Sequence, residues 1–362
     1  MKLFKKMTLV FLMALSFVLI NSTYIFAEDN NDLAIDEASN TMNSFIDSNV
    51  NMGDIGWNGF EIVGYDNIYD ADLIHYGYIF ELSNGVEDGY GIVIKDRNYY
   101  VVEASNEMQS PYKNNNDLNI YYTPLAYYSA SNTMTYSLET DLCDLYDGEI
   151  ISNSDVTNKR YDVNVPLIQP ASVPGESFKY ISNYSTKFEK HRQVKNISCI
   201  PASFSMSIKY LHNIGSLTLK TPYTNMDNID NKLYELANCS GMCYAENIKT
   251  AVQVFSDNYI TGAKIRTKED EFQPDTYLDV AQDEVDSNCP PIIIFYKGAL
   301  STNPNNNHAT TMVGYKTVNN TSTGGITMRT SYIVVVDPWD KTTKTVLWNS
   351  NAVFGYMLIY FY

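Results

Sequence analysis

The stretch Gln193–Tyr210, Q-V-K-N-I-S-C-I-P-A-S-F-S-M-S-I-K-Y, constrains the chain more than any other. A glutamine stands six residues before a cysteine that opens a helical pattern. Pro201 suits a first helical turn, where its missing N–H has no partner to lose; Ala202, Met206 and Tyr210 recur at four-residue spacing, and Gly215 can end the run. Cys199 is thereby expected at a helix N-terminus, where free N–H groups and the positive end of the dipole favour the thiolate, the nucleophilic form. Acyl transfer also needs a donor for the oxyanion that develops on the attacked carbonyl. The Gln193 amide, beside the Cys199 N–H, is spaced to be one.

A thiolate nucleophile needs a base, and the base needs an orienting partner. Of four histidines, His308 opens N-N-H-A-T-T-M-V-G-Y, where Ala309 to Tyr315 reads as a strand ending in a glycine turn. Farther on, I-V-V-V-D-P-W reads as a buried strand ending at Asp337, because the following proline cannot continue it. Two neighbouring strands would then present His308 and Asp337 at one end of a sheet, facing Cys199. The rivals are weaker. His191 lies near Gln193, but its loop offers no acid, so it reads as a rim residue. Asp340 follows Pro338 and Trp339 in a turn. Asn306 and Asn307 read as loop-shaping residues, and Trp339 as a shield over the His308–Asp337 bond. Cys239-x3-Cys243 lacks nearby histidines and reads as a disulfide or two thiols rather than a zinc site. No metal or cofactor is called for.

Q-x5-C-x-P-A-S, then H-A-x-x-x-V-G-Y, then V-V-D-P-W, resembles the papain-like cysteine peptidases of the bacteriocin-leader-processing type, and especially their free-standing secreted relatives (peptidase C39-like). The resemblance covers roughly the C-terminal half and implies a Cys199 nucleophile, a His308 base, an Asp337 orienter and a Gln193 oxyanion donor. It departs at Ile200, where such enzymes usually carry glycine; a β-branched residue there would narrow the site or mark a relative without activity. That leaves room for a papain-like binding or adhesion module. The same triad also serves acyl transferases. Leader peptidases usually come fused to a transporter, and their cleavage specificity is not carried over.

Met1 to Ala27 reads as an export signal, with Lys2, Lys5 and Lys6 before an apolar run from Leu9 to Ile20. Its removal takes the formal charge from −17 to −20, which argues against nucleic acid or anionic membrane as partners and suits a secreted, extracellular or surface-associated protein. Five cysteines are too few and too scattered for a disulfide framework, and their odd number leaves a free thiol. Thirty tyrosines read as compositional bias rather than as a site.

Residues 28–150 read as a helix over Leu33 to Ile46 on an antiparallel meander of Gly59–Tyr65, Ile74–Leu82, Gly89–Lys95 and Tyr99–Ala104, with aromatic strand material from Asn119 to Tyr136. His75, alone in a strand, reads as structural. The helix with G-Y-G-I-V-I-K and Y-Y-V-V-E is similar to the pro-regions of streptopain-type peptidases, which implies a zymogen whose own N-terminal region inhibits it. Residues 151–177, with Pro166, Pro170, Pro174 and the dibasic Lys159-Arg160, read as an exposed linker open to cleavage. In residues 178–362, helical patterns at Asp227–Ala237 and Tyr244–Phe255 precede strands at Tyr259–Arg266, Pro291–Lys297, His308–Tyr315, Ile326–Val336, Thr343–Trp348 and Ala352–Tyr362. Helices first and strands later is an α+β order, which the resemblance makes a papain-like peptidase domain. The expectation is a secreted monomeric peptidase acting on peptides or proteins.

Overall fold

A computed structural model describes residues 34–96, 98–130, 141–146, 148–152, 177–239, 243, 245–270, 277–295, 307–321, 327–348 and 353–361. The export signal, most of the 151–177 linker and its dibasic pair lie outside them.

The chain enters through helix α1 (34–51), which runs five residues past the Ile46 end of its apolar stripe. Ala38, Met42, Phe45 and Ile46 are its buried face, and Gly53, at φ +89°, lets the chain turn away. Strands β1 (Glu61–Tyr69), β2 (His75–Ser83), β3 (Asp88–Lys95) and β4 (Tyr99–Ser105) form the expected antiparallel meander. β5 (Leu118–Thr123) lies parallel to β1, and β6 (Ala126–Ala130), β7 (Leu142–Asp144) and β8 (Ile150–Ile151) follow it outward.

The rest of the chain supplies β9 (Ser177–Tyr180), α2 (Tyr184–Lys187), α3 (Cys199–Asn213), β10 (Thr218–Leu219), α4 (Met226–Leu236), α5 (Ala245–Tyr259), β11 (Ile260–Thr261), β12 (Ile265–Asp270) and α6 (Tyr277–Asp286). Four long strands then close the fold after β13 (Ile292–Phe295): β14 (His308–Thr321), β15 (Thr327–Asp337), β16 (Thr342–Leu347) and β17 (Val353–Phe361). Few helices against a large, mainly antiparallel sheet make the fold α+β. The expected strand at Tyr259–Arg266 is instead the end of α5 followed by two short strands, and α6 went unread because its only strong cue is a short acidic amphipathic run.

One sheet runs through the whole molecule, in the order β12-β17-β13-β14-β15-β16-β4-β3-β2-β1-β5-β6-β7-β8, with β9 beside β14. Its seam is β16 against β4, where Thr345 faces Ala104 and Val346 faces Glu103. On one side of the seam the core packs α3, α4, α5 and α6 on β13, β14 and β15. On the other, Val318, Tyr332 and Leu347 join the core of α1 and the meander.

Helix α3 is not amphipathic in place. Ile200 through Ile208 are all buried, including Ser203, Ser205 and Ser207. Their small hydroxyls allow close approach to the sheet and are all satisfied: Ser203 donates to Ala309 O at 3.1 Å, Ser207 to Pro290 O at 2.9 Å and Ser205 to Ala202 O of its own helix at 2.7 Å, while Thr311 donates back to Ser203 O at 3.0 Å. These bonds lock the helix, and so the cysteine at its start, to β14.

Candidate active site

Cys199 is the first residue of α3, so its own N–H and that of Ile200 lack intrahelical acceptors; Pro201 has none to satisfy, and Ala202 N already donates to Ser198 O at 2.8 Å. The turn before it is closed by Ser198, which donates to Lys195 O at 3.0 Å and accepts from Lys195 N at 3.1 Å. His308 is the first residue of β14 and Asp337 the last of β15. These strands are antiparallel neighbours, so the start of one and the end of the other share an edge of the sheet. Gly314 does not end the first strand: β14 passes through a bulge at Met312/Gly314 and continues to Thr321, because the glycine admits β9 alongside rather than turning the chain.

His308 Nε2–H donates to Asp337 Oδ1 at 2.7 Å, and the imidazole also bonds the Cys199 side chain. With Nε2 given to the acid, Nδ1 is the nitrogen left for sulfur. Burial alone would raise the Cys199 thiol, but the bond and charge of His308 outweigh it, leaving the thiol below its ordinary value. Burial would lower His308; the Asp337 carboxylate more than offsets this and lifts the imidazole to about 9. Each group thus shifts the other toward the thiolate–imidazolium pair. Cys289, a free cysteine buried without such a partner, is pushed up to about 11. Only a half-buried sulfur next to His308 has the electrostatics of a nucleophile.

Asp337 is fully buried and uses both oxygens. Oδ1 also accepts from Trp339 N at 2.8 Å, and Oδ2 accepts from Lys344 Nζ at 2.8 Å. Burial would raise this carboxyl, but Lys344 and then His308 hold it well below the usual carboxylate range. Lys344, itself fully buried, also pairs with Asp340 at 2.7 Å. That resolves the rivalry between the two aspartates: Asp340 serves the lysine, and Asp337 serves the histidine. Trp339 contributes its backbone to Asp337 while its ring packs on Tyr146, 5.2 Å between centroids.

Gln193 is tied to the acid's turn by its own N–H, which donates to Pro338 O at 2.7 Å. Its side-chain nitrogen donates to Lys195 O at 3.0 Å and Asn196 O at 2.9 Å, using both protons, and its Oε1 is buried without a partner. The amide thus braces the loop before Cys199, and one proton must leave a carbonyl before it can reach an oxyanion. His191 is not a rim residue. It is buried, and Nε2 meets Asp230 Oδ2 of α4 at 3.1 Å; the same oxygen accepts from Val194 N at 3.1 Å. The acid its loop lacks comes from a helix 39 residues away, and together they pin that loop. Ile200 is 8% exposed and packs in the core beside Phe204, so its side chain turns inward instead of crowding the sulfur. Asn307 O lies 4.0 Å from Cys199 Sγ, and Asn306 is outside the described residues. Cys239 and Cys243 are joined as a disulfide.

Lys344 escaped the sequence reading. Its one signal was period-two alternation: Lys344 pairs with Val335, which shares a strand face with Asp337, so a lysine on that face of β16 has to meet the carboxylate.

The arrangement can generate a thiolate, hold its base in one tautomer and offer backbone N–H groups to an oxyanion. No curated protein sequence matches the chain. The profile of the Peptidase C39-like family matches residues 178–357, which hold Cys199, His308, Asp337 and Gln193. Residues 178–357, just under half of the chain, are thus a region of the Peptidase C39-like family.

Proposed function

We propose that the protein hydrolyses peptide bonds with Cys199 as nucleophile, His308 as base and then acid, and Asp337 as orienter. The observation that carries this is the 2.7 Å bond from His308 Nε2 to Asp337 Oδ1, with the imidazole's other side given to a cysteine at a helix N-terminus. The Cys199 thiolate attacks the carbonyl carbon. The oxyanion is held by the Cys199 N–H and, once its amide swings free of one loop carbonyl, by Gln193. The His308 imidazolium gives its proton to the leaving amine; neutral His308 then activates water, which releases the acyl group and restores the pair. Asp337 stays ionised throughout.

Export, a cut in the linker and action outside the cell belong to the same proposal, resting on Met1–Ala27 and on the dibasic Lys159-Arg160. Intact mass of the protein recovered from medium tests them, by a start at Glu28 and a second cut between Ser152 and Gly175.

Activity is tested by incubating a peptide mixture with wild type, Cys199→Ala and His308→Ala. Product pairs whose masses sum to the substrate plus one water, from wild type only, support hydrolysis. Products joined to an added amine indicate transfer instead, and no turnover by correctly folded wild type leaves a binding module.

A further inference from the structure

Lys344 spends all three of its protons on protein acceptors, one buried and two half-buried: Asp337 Oδ2 at 2.8 Å, Asp340 Oδ2 at 2.7 Å and the Tyr146 hydroxyl at 2.8 Å. Two of these lie on the turn that carries the acid. The third comes from outside residues 178–357, from the turn after β7, so the family domain alone leaves this buried ammonium one acceptor short. Tyr146 is fixed in turn, its ring packed against Trp339 and, at 5.3 Å, against Tyr127. Both Tyr127 and Tyr146 rings lie 5.5 Å from Lys344 Nζ, within cation–π range.

The same region grips both loops that frame the site. Glu107 accepts from Thr343 N at 2.8 Å, just before Lys344, and from Lys190 Nζ at 2.5 Å, just before the loop that carries Gln193. Ser105 donates to Thr343 O at 2.8 Å. The two Thr343 contacts bear on the strand that carries Lys344, and so on the acid's side of the site.

We propose that the N-terminal region is a working part of the active site, with Tyr146 and Lys344 as positioning residues that hold Asp337 behind His308. The region keeps the triad assembled rather than blocking it. This rests on the reading of Cys199, His308 and Asp337 as the triad.

The charged and titratable groups around Lys344 are Asp337 and Asp340 from β15 and its turn, Glu103 on β4, Tyr90 on β3, Tyr127 on β6 and Tyr146. Removing the one cation among them makes the surroundings of His308 and Cys199 more negative. Both groups must then hold their protons more tightly, so both limbs of the pH profile move up, by on the order of one pH unit for a charge roughly 10 Å away at an effective dielectric near 20.

The test measures the inactivation rate by a peptidyl epoxide, read as intact mass on the full-length chain across pH, for wild type, Cys199→Ala, Tyr146→Phe and Lys344→Met. Tyr146→Phe keeps the ring and the charge. It is expected to lower the maximal inactivation rate about threefold to tenfold, with unchanged half-saturating epoxide, a retained cooperative melt and unmoved limbs. Lys344→Met is expected to shift both limbs upward; where it fails to give a cooperative melt, Tyr146→Phe decides. Wild-type rates and limbs in both variants, or faster labelling of Tyr146→Phe, would overturn the inference while leaving the triad intact. A wild type that takes no label at Cys199 at any pH overturns the triad reading and this inference with it.

Discussion

The decisive charge at the residue scale is Asp337. Burial pulls the His308 imidazole toward its neutral form; the carboxylate 2.7 Å away, with a smaller contribution from the Cys199 sulfur, lifts it to about 9. Asp337→Asn keeps the shape and removes that charge. The alkaline limb of wild-type activity is expected near pH 9, where His308 loses the proton it must give to the leaving amine. In the variant, only the Cys199 sulfur still opposes burial, so the limb moves to lower pH. The rate at its optimum falls roughly 10²- to 10⁴-fold, the usual worth of positioned acid–base catalysis. A kcat/KM profile from pH 5 to 10 checks this, and an unmoved alkaline limb would refute the assignment. Each member of this set was legible in sequence because its type and local setting announced it: a cysteine before a proline-started helix, a histidine opening a strand, an aspartate stopped by a proline. His191 and Lys344 were opaque for the opposite reason. Their meaning is conferred by partners, Asp230 and Asp337, whose proximity only the folded chain creates.

Elements were legible where one period dominated. The meander β1 to β4 and the strand ends that carry His308 and Asp337 fall within a few residues of their sequence reading. The reading of α3 had the right length and the wrong environment, because buried serines look like a polar face until their hydroxyls are seen donating to Ala309 O of β14 and to Pro290 O just before β13. Gly314 was misread for a comparable reason, since a glycine that ends a strand and one that admits a neighbour look alike in sequence. A Cβ at Gly314 would meet Lys179 O at 2.6 Å and Tyr180 Cδ1 at 2.7 Å. Gly314→Ala is therefore expected to push β9 off β14 and cost about 1–3 kcal/mol, the range for overpacking. Urea denaturation checks it; a loss under about 0.5 kcal/mol, the scatter of neutral surface changes, would mean that β9 gives way without penalty.

The whole molecule is joined more tightly than a pro-region and an enzyme connected by a linker would suggest. The sheet crosses from β16 to β4 without a break, and the core around α1 takes in Tyr332, whose ring meets Phe45 at 5.4 Å. Between the two regions lies a buried cation: Lys316 of β14 donates to Asp54 Oδ2 at 2.8 Å and Asn49 Oδ1 at 2.5 Å, both from the α1 end of the chain. Burial draws this lysine below its ordinary value, so its charge survives only because Asp54 answers it. Asp54→Ala strands that charge and is expected to cost roughly 3–5 kcal/mol, the penalty for breaking a buried pair from one side. The expected form of the loss distinguishes one cooperative body from two. If the seam couples the regions, urea unfolding followed by Trp57 on one side and by Trp339 and Trp348 on the other stays coincident, and Asp54→Ala moves both signals together. After a designed protease site between residues 153 and 176 is cut, the two pieces should still elute as one particle under native conditions and retain epoxide labelling at Cys199. Fragments that part without denaturant, or an Asp54→Ala transition confined to Trp57, would mean that the seam is a docking contact and that maturation can shed the N-terminal region.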